Sequence, residues 1–350
     1  MYLTIDKDTE FEIGEQTSRV NTRFFVDHSE VPEQVINVTT GSAPWLLGEL
    51  EDGWEWFAFT FQDQETIKLQ PDEIQKFLET SDSIVKRAYA RMQLQSKEQK
   101  WMQHTEDEVD YILKNVDLSS EATIYDLGCG LGRHSIELAK RGFHVTGIDY
   151  VDSHIEQATK DAAQIKTGNV QFIQADCRRY TNSNKAELVI CLYDVVGSFA
   201  DLESNIDILK SAFDLLVPGG YFVLSVMNYE LTYSQSQCRF EFAKEPDKIF
   251  TLKPSKIMER TGNVFDPLYY MVDTAEHVIY RKEQFSLSKD NLPAELLVRD
   301  RRFTKEEIDI HCKNVGFSDV KSKFVNASSW KNEYSFDDPK AKEILLICVK

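Results

Sequence analysis

From residue 122 onward, short apolar runs typical of strands alternate with runs of helical period. This alternation constrains the fold more than any other feature, because it is typical of a parallel sheet with helices on both faces. The run at 188–192 is almost wholly apolar, as expected for a central parallel strand. The predicted strands are Thr123–Leu127, His144–Ile148, Val170–Gln174, Leu188–Leu192 and Tyr221–Val226.

The alternation stops after the fifth strand. Residues 229–303 contain short runs rich in Phe, Tyr and Val, which we interpret as an antiparallel insert that covers the substrate. Thr304 then predicts the start of a helix that Gly316 ends, and two late strands follow at Ser318–Val325 and Glu343–Val349. The predicted α/β domain therefore spans residues 71–350, with the insert inside it.

The first 70 residues differ from the rest in charge. They carry 14 acidic and 4 basic residues, and strand-like runs at Thr22–Asp27, Gln34–Thr39 and Trp54–Gln62 predict a β-rich extension of unknown role. Residues 71–117 predict two helices that precede the sheet. The second begins at Thr105, and Glu108 three residues later completes the pattern of a capping box.

The whole chain is acidic, with 58 acidic residues, 40 basic residues and a net charge of −18. Nucleic-acid binders usually present a basic face, so this charge disfavours an RNA or DNA partner. The chain begins without a basic segment followed by an apolar stretch, and we expect a cytoplasmic protein that does not bind a membrane. The six cysteines form no CxxC pair, which predicts reduced thiols and no metal site.

A glycine-rich loop joins the first predicted strand to a helix. Gly128, Gly130 and Gly132, with Cys129 between the first two, allow the backbone to turn sharply and approach a ligand closely. A dinucleotide fingerprint requires a small residue where this chain has Arg133. Asp126 would repel a pyrophosphate but suits a cationic amine. The loop therefore favours S-adenosylmethionine over NAD, with an ordinary tight turn as the alternative.

Two more carboxylates end the second and third predicted strands. Asp149 stands 19 residues after Gly130, where a carboxylate accepts hydrogen bonds from both ribose hydroxyls. Asp176 is placed to accept from an adenine amine, while the Cys177 backbone N–H meets a ring nitrogen. Either acid alone is more often a helix cap or a solvated loop residue, but three acids at the ends of three successive strands favour a site. Apolar side chains near Tyr150 and Leu192 would enclose the adenine.

These motifs resemble the class I S-adenosylmethionine-dependent methyltransferases. The resemblance is carried by residues 125–150, 170–180, 187–199, 215–228 and 301–320. It implies a Rossmann-like sheet of seven strands, with Asp126, Gly128, Gly130, Asp149 and Asp176 as cofactor residues. The insert after the fifth strand resembles the branch that methylates small molecules. Residues 1–70 resemble no family that we can name.

In this family the methyl group moves by in-line displacement to an O, N or C atom, so the enzyme chiefly aligns donor and acceptor and excludes water. We expect the acceptor above the fourth strand, beside Tyr193 and Asp194. The sequence there lacks the Asn/Asp-Pro-Pro-Tyr/Phe motif of many amino-directed enzymes, which favours a small acceptor. The candidate bases are His134, Tyr193 and Asp194, and each fits a packing or pocket-shaping role as well. The candidate substrate contacts are Tyr193, Asn228, Tyr269, Tyr270, Arg299 and Arg301.

Several alternatives stay open at this point. The enzyme could act on RNA or protein, with residues 1–70 as a docking module. The chain could also bind S-adenosylmethionine without catalysis, and an NAD-dependent oxidoreductase is disfavoured by Arg133 and Asp126. A homodimer is a further expectation.

Overall fold

The computed structural model describes residues 103–165, 169–255, 266–287, 292–326 and 329–350, together with five short strands before residue 60. The chain divides into two compact units. One comprises Met1–Ala88 and Ser236–Arg299, and the other comprises Tyr89–Gln235 and Asp300–Lys350. The first helix predicted after Pro71 lies outside the described residues.

The strands before residue 60 form two small sheets. β1 pairs with β3, and β5 lies between β2 and β4 in an antiparallel sheet of three strands. Three of these strands coincide with the predicted runs, whereas β1 and β4 were not predicted. Their bounds are β1 Tyr2–Leu3, β2 Thr22–Val26, β3 Val35–Ile36, β4 Pro44–Glu49 and β5 Glu55–Phe59.

The second unit begins with alternating helices and strands, as the sequence predicts. Its first elements are α1 Thr105–Asn115, β6 Thr123–Leu127, α2 Arg133–Lys140, β7 His144–Asp149, α3 Asp152–Ile165, β8 Val170–Gln174, β9 Ala186–Cys191, α4 Leu202–Leu215, β10 Leu216–Met227 and α5 Tyr229–Gln235. All five predicted strands are confirmed, and a helix lies between each successive pair except β8 and β9, which a loop joins.

The capping box predicted at the start of α1 is wrong. Its N-cap is His104, which makes no side-chain capping bond, and Thr105 is already the first helical residue. Glu108 does not turn back to the helix start, because its carboxylate bonds to Arg133, His134 and Tyr193. A tertiary contact has replaced the local one.

The inserted segment is a mixed sheet rather than the antiparallel one predicted. β13 pairs antiparallel with β14, but β11 runs parallel to β13 and β12 runs parallel to β14. The two parallel strands are only two residues long and come from extended segments before the hairpin. The bounds are β11 Arg239–Phe240, a 3₁₀ helix Pro246–Thr251, β12 Pro254–Ser255, β13 Tyr270–Asp273, β14 Val278–Leu287 and β15 Leu292–Arg301.

The start of the predicted insert is also different, since residues 229–235 form helix α5. Asn228 begins this helix, and its side-chain Oδ1 accepts from the Glu230 N–H at 2.9 Å and the Leu231 N–H at 3.3 Å. These bonds satisfy backbone donors that have no partner within the helix. The tyrosines at 229 and 233 favour a strand by propensity, but the asparagine cap decides the local structure.

The last elements are α6 Lys305–Val315, β16 Asp319–Asn326, β17 Ser329–Tyr334 and β18 Glu343–Val349. The start of α6 is confirmed, with a complete capping box between Thr304 and Glu307 and an end at Gly316. The central sheet has eight strands, in the order β17-β16-β18-β10-β9-β6-β7-β8, so the predicted number of seven is wrong. The additional strand is β17, which returns antiparallel along β16 and extends the sheet edge.

The sheet has helices on both faces, as predicted. Ile208 of α4 and Ile308 of α6 pack in the core on one face, and Val109 of α1 and Leu138 of α2 pack on the other. Strands β10, β9, β6, β7 and β8 are parallel, so their carboxyl ends meet at one edge of the sheet. The six cysteines are free, and four of them are buried. In the part of the chain that the structure describes, every helix is too short or too polar to cross a bilayer.

Candidate functional site

The glycine loop after β6 has three residues in the left-handed region, with φ of 72° at Gly128, 53° at Gly130 and 75° at Gly132. A Cβ at Gly128 would lie 2.5 Å from Val195, and one at Gly132 would lie 2.5 Å from the Phe172 ring. A Cβ at Gly130 would meet no atom within 4 Å. Two of the glycines are therefore required by packing, whereas the third borders open space that a ligand can occupy.

Asp149 ties this loop to the end of β7. Its carboxylate is buried and accepts the Gly130 N–H at 2.8 Å and the Val151 N–H at 2.9 Å. The loop is held further by the Cys129 N–H, which donates to the Ile148 carbonyl at 3.0 Å. Each Asp149 oxygen retains a lone pair after its backbone bond, which fits the predicted contact with two ribose hydroxyls. That contact stays a prediction.

Asp126 is buried beneath the loop rather than exposed beside it. Its carboxylate accepts from the Ser135 Oγ at 2.6 Å. Burial raises its pKa to about 6, and the Asp149 charge acts in the same direction, while Ser135 and Arg133 oppose them. At neutral pH the group is therefore mostly a carboxylate, and it adds negative potential where a cationic amine is predicted. The sequence analysis missed Ser135.

Asp176 follows β8 and forms an ion pair with Arg178 at 2.6 Å. Burial raises the pKa of Asp176, but the contacts with Arg178 outweigh it and hold the pKa below its usual range. The Arg178 guanidinium also stacks over the Phe199 ring at 4.5 Å and donates to the Ser204 hydroxyl at 3.1 Å. The predicted acceptor for an adenine amine is thus already engaged by a neighbouring cation.

The predicted adenine neighbours have different environments. Tyr150 is 46% exposed, Cys177 is half-buried, and Leu192 packs in the core that faces α1 and α2. Asp126 nevertheless lies near the end of β6, Asp149 ends β7 and Asp176 follows β8. The structure therefore brings all three carboxylates to one edge of the sheet. Their roles in binding stay predictions.

A strained turn follows β9. Tyr193 has a φ of 62° and Asp194 a φ of 65°, a conformation that non-glycine residues seldom adopt in succession. The Tyr193 N–H donates to the Ser225 Oγ at 2.8 Å, which fixes the turn against β10. Gly197 is required here, because a Cβ would lie 2.4 Å from the Asp194 Oδ1. Such strain is concentrated at functional sites.

The turn directs Tyr193 into a buried network centred on Glu108 of α1. The Glu108 carboxylate accepts from the Arg133 guanidinium at 2.7 Å, lies 2.8 Å from His134 Nε2 and accepts from the Tyr193 hydroxyl. The Arg133 guanidinium also stacks 4.4 Å over the Tyr193 ring and donates to the Thr105 hydroxyl at 2.8 Å. One carboxylate thus connects α1, the cofactor loop and the turn after β9.

The network fixes the protonation of its members. Burial raises the pKa of Glu108, but the bonds and charges of His134 and Arg133 outweigh it and leave the pKa low. Burial and the Arg133 charge lower the pKa of His134 to about 4, so its ring is neutral and Nε2–H donates to the carboxylate. Burial and the nearby carboxylates of Glu343 and Glu108 raise the pKa of Tyr193 far above its usual range. His134 and Tyr193, two of the three candidate bases, are therefore uncharged at neutral pH.

The remaining candidate residues are divided between the two units. Tyr269, Tyr270 and Arg299 belong to the first unit, whereas Asn228 and Arg301 belong to the second. The Asn228 amide is buried and donates to the Phe336 and Ala341 carbonyls at 3.0 and 2.7 Å. The Arg301 backbone N–H donates to the Gly197 carbonyl at 2.7 Å, which places Arg301 beside the strained turn. Substrate contact by these five residues stays a prediction.

Sequence reasoning missed Glu108, Trp330 and Glu343 as neighbours of Tyr193. Glu108 was assigned to a local cap, and Trp330 lies in the strand that was not predicted. Glu343 opens an apolar strand, where a carboxylate at the first position resembles an exposed strand end. Glu343 is buried in the fold, and the sequence before this apolar run gives no sign of that burial.

Parts of this chain are similar in sequence to known methyltransferases. Residues 118–276 match a family model described as a methyltransferase domain. The chain is 31% identical over 125 residues to a ubiquinone biosynthesis O-methyltransferase of Rickettsia prowazekii, covering 34% of this chain and 47% of the relative. It is 37% identical over 68 residues to a 23S rRNA (uracil(1939)-C(5))-methyltransferase of Methylococcus capsulatus, covering 19% of this chain and 15% of the relative. The chain thus spans less than half the length of these relatives.

A solved structure shares the fold. The CcbJ methyltransferase of Streptomyces caelestis has a TM-score of 0.53 at 15% identity, over 70% of this chain and 88% of that chain. The sheet order and this likeness show that the second unit has the fold of the class I S-adenosylmethionine-dependent methyltransferases.

Proposed function

We propose that this chain is a methyltransferase that uses S-adenosylmethionine as methyl donor. The proposal rests on one observation about the glycine loop. Gly130 borders empty space, and its N–H donates to the buried carboxylate of Asp149. A sharp loop at the carboxyl edge of a parallel sheet is where α/β proteins bind nucleosides. A carboxylate beneath that loop fits a cofactor without phosphates.

The same residues argue against NAD. Arg133 occupies the position that a dinucleotide fingerprint keeps small for close helix packing. Its guanidinium points to Glu108 and Tyr193, so it does not neutralise a pyrophosphate over the loop. Asp126 and Asp149 both add negative potential there, which a pyrophosphate would meet unfavourably.

S-adenosylmethionine supplies a methyl group that its sulfonium already activates. The residues of the chain would bind and orient it: Asp149 toward the ribose, Asp126 toward the amine and the Gly130 face toward the methionine chain. Glu108 and Arg133 close the loop from the α1 side and exclude water there. The rigid turn at Tyr193 and Asp194 would fix the acceptor relative to the loop.

The acceptor that we propose is an O or N atom of a small molecule. Two features support this: the chain has a net charge of −18, and the turn after β9 lacks a Pro-Pro motif. The relatives differ by their names: one is an O-methyltransferase of ubiquinone biosynthesis, and the other methylates a uracil of 23S ribosomal RNA. An RNA or protein acceptor is therefore the second candidate, and the RNA-directed relative is the observation that favours it.

The test is calorimetric titration of the purified chain with S-adenosylhomocysteine and, separately, with NADH. We expect binding of the first and no binding of the second. Asp149→Asn should weaken binding, whereas Asp152→Asn, an exposed carboxylate at the start of α3, should leave it unchanged. Binding of NADH instead, or equal effects of the two variants, would contradict the proposal.

Catalysis needs a separate assay. Incubation with S-adenosylmethionine labelled in the methyl group, first with a small-metabolite extract and then with total RNA or protein, assigns the acceptor class. We expect label in the metabolite fraction. Label in RNA with steep salt dependence supports the second candidate, and cofactor binding without transfer to any fraction supports a non-catalytic role.

A further inference from the structure

Both carboxylate oxygens of Asp176 are engaged by one residue, Arg178. The Oδ1 accepts from the Arg178 backbone N–H at 3.0 Å and from its Nε at 3.0 Å. The Oδ2 accepts from Nη2 at 2.6 Å and from the same Nε at 3.1 Å. A carboxylate offers about four lone-pair positions, so these four contacts occupy the carboxylate on both oxygens.

The Arg178 side chain is also held by contacts outside Asp176. Its Nη1 donates to the Ser204 Oγ at 3.1 Å, and its guanidinium lies 4.5 Å from the centre of the Phe199 ring. Ser204 is itself fixed in the first turn of α4, because its backbone N–H donates to the Asp201 side chain at 2.7 Å. A guanidinium that turned away from Asp176 would therefore lose the Ser204 bond and the Phe199 contact as well.

These contacts bear on the base of the methyl donor, because Asp176 is the residue predicted to accept its 6-amino group. A neutral amine could displace the guanidinium only by exchanging a bidentate contact between two charged groups for one hydrogen bond. The bidentate pair is the stronger interaction, so it persists when the donor binds. The amine then meets a carboxylate that is already occupied.

The backbone beside this pair can still hold the purine ring. The Asp176 carbonyl accepts the Arg179 N–H at 3.1 Å, which makes a tight turn with Cys177 at its second position. No hydrogen bond between described residues uses the Cys177 N–H. This N–H is the one predicted to meet a ring nitrogen of adenine, and a purine without the amine retains that nitrogen.

The rim around this turn is open. The Asp176 side chain is 37% exposed, and Tyr150, which follows β7, is 46% exposed. A substituent at the 6-position of a purine that contacts Cys177 would therefore extend toward solvent rather than into the core. Both a missing and an enlarged 6-amino group fit this geometry.

We propose that Arg178 withdraws Asp176 from base recognition, so that the chain accepts methyl donors whose purine lacks the 6-amino group or carries a modified one. This inference rests on the S-adenosylmethionine-dependent function proposed above, and it makes Arg178 a specificity-determining residue. The change concerns the base alone. The sulfonium that carries the methyl group and the ribose that Asp149 is proposed to bind are the same in all these donors.

The experiment is calorimetric titration of the full chain with S-adenosylhomocysteine, its analogue with an unsubstituted purine and its N6-methyl analogue. All three ligands keep the ring nitrogen that would accept from Cys177. We expect their dissociation constants to agree within about threefold. If Asp176 accepted the amine, its removal would weaken binding about tenfold or more, because a hydrogen bond to a charged group contributes that much.

Two substitutions of Arg178 test its role. Arg178→Met leaves the Asp176 carboxylate unoccupied, so this variant should prefer S-adenosylhomocysteine over the unsubstituted purine analogue by about tenfold. Arg178→Lys keeps the charge but not the bidentate fork, so it should gain a smaller preference in the same direction, and it replaces Arg178→Met if that variant does not fold. Arg179→Met, which removes the exposed neighbouring arginine, is the matched control and should keep the wild-type ratio.

A preference for the amine that appears only when Arg178 is replaced supports the inference. A wild-type preference of about tenfold or more for S-adenosylhomocysteine over the unsubstituted purine analogue overturns it, while the proposed function stands. Equal binding of the ligands by the wild type and by both Arg178 variants overturns the role given to Arg178. A wild-type chain that binds none of the three ligands refutes the proposed function itself.

Discussion

Glu343 should make the second unit less stable as the pH rises, and Glu343→Gln should remove this dependence. The residue is fully buried, and burial raises the pKa of its carboxyl from 4.5 to about 8. Because the pKa is raised in the folded state, the contribution of Glu343 to the free energy of unfolding is largest below pH 4.5, where the carboxyl is neutral in both states. It is lost as the pH rises from 4.5 to about 8, because the unfolded chain releases the proton first.

The magnitude follows from the width of that interval. Each unit of pH between the two pKa values lowers the free energy of unfolding by about 1.4 kcal/mol. Between pH 5 and 7, ionisation of Glu343 alone should therefore destabilise the wild type by about 2.5 kcal/mol, slightly less than two full units because the unfolded carboxyl is not yet fully ionised at pH 5. Asp126 also titrates in this range, but it is present in both proteins, so its contribution cancels in the difference between wild type and variant.

The assay is urea denaturation of both proteins at pH 5 and pH 7, followed by far-ultraviolet circular dichroism. We expect Glu343→Gln to gain about 2.5 kcal/mol relative to wild type on going from pH 5 to pH 7. Glu333→Gln, on the exposed face of β17, should show the same pH dependence as wild type. Parallel curves for wild type and Glu343→Gln would mean that the carboxyl titrates normally and that water reaches it, which refutes the reasoning.

Three further substitutions test the site. Gly130→Ala should lower the affinity for S-adenosylhomocysteine while costing only about 1 kcal/mol of stability, since its Cβ meets only open space; calorimetry and denaturation together check this. Gly132→Ala should destabilise the chain by at least about 2 kcal/mol, because its Cβ would collide with Phe172 at 2.5 Å, and a Gly132→Ala protein as stable as Gly130→Ala would be inconsistent with the structure. Glu108→Gln should lower the free energy of unfolding by about 2–3 kcal/mol by leaving Arg133 buried beside a neutral group, whereas the exposed Glu106→Gln should change it by less than about 0.5 kcal/mol.

The parallel part of the sheet was predictable because its signals are local. Apolar runs of strand length, glycines at the loop after β6 and the Thr304 cap each act within a few residues of their own position. Those segments also carry the resemblance to the family, so the placement of three carboxylates at one edge of the sheet followed from the sequence, while their role in binding stays a prediction. The same local patterns also predict that these strands are parallel, because helices alternate with them along the chain.

The other features depend on contacts between distant segments. Thr105 and Glu108 have the spacing of a capping box, but Glu108 lies opposite Arg133, 25 residues later, and a charged partner is stronger than a backbone amide. β17 contains Lys331 and Glu333 among its exposed positions, so it lacks a strand-like pattern on its own. It becomes a strand only because β16 offers an unpaired edge.

Arg133, at the end of the glycine motif, connects the glycine loop with α1 and with the turn after β9. An arginine at this position therefore has two consequences. A small residue at this position would allow close helix packing over a pyrophosphate. The arginine instead turns toward Glu108 and stacks on Tyr193, so it draws α1 and the turn after β9 against the cofactor loop. The feature that argues against a dinucleotide therefore also joins α1 and the turn after β9 to the glycine loop. Because a buried ion pair holds this contact, the position of the Tyr193 ring, which lies beside Trp330, depends on the residue that opens α2.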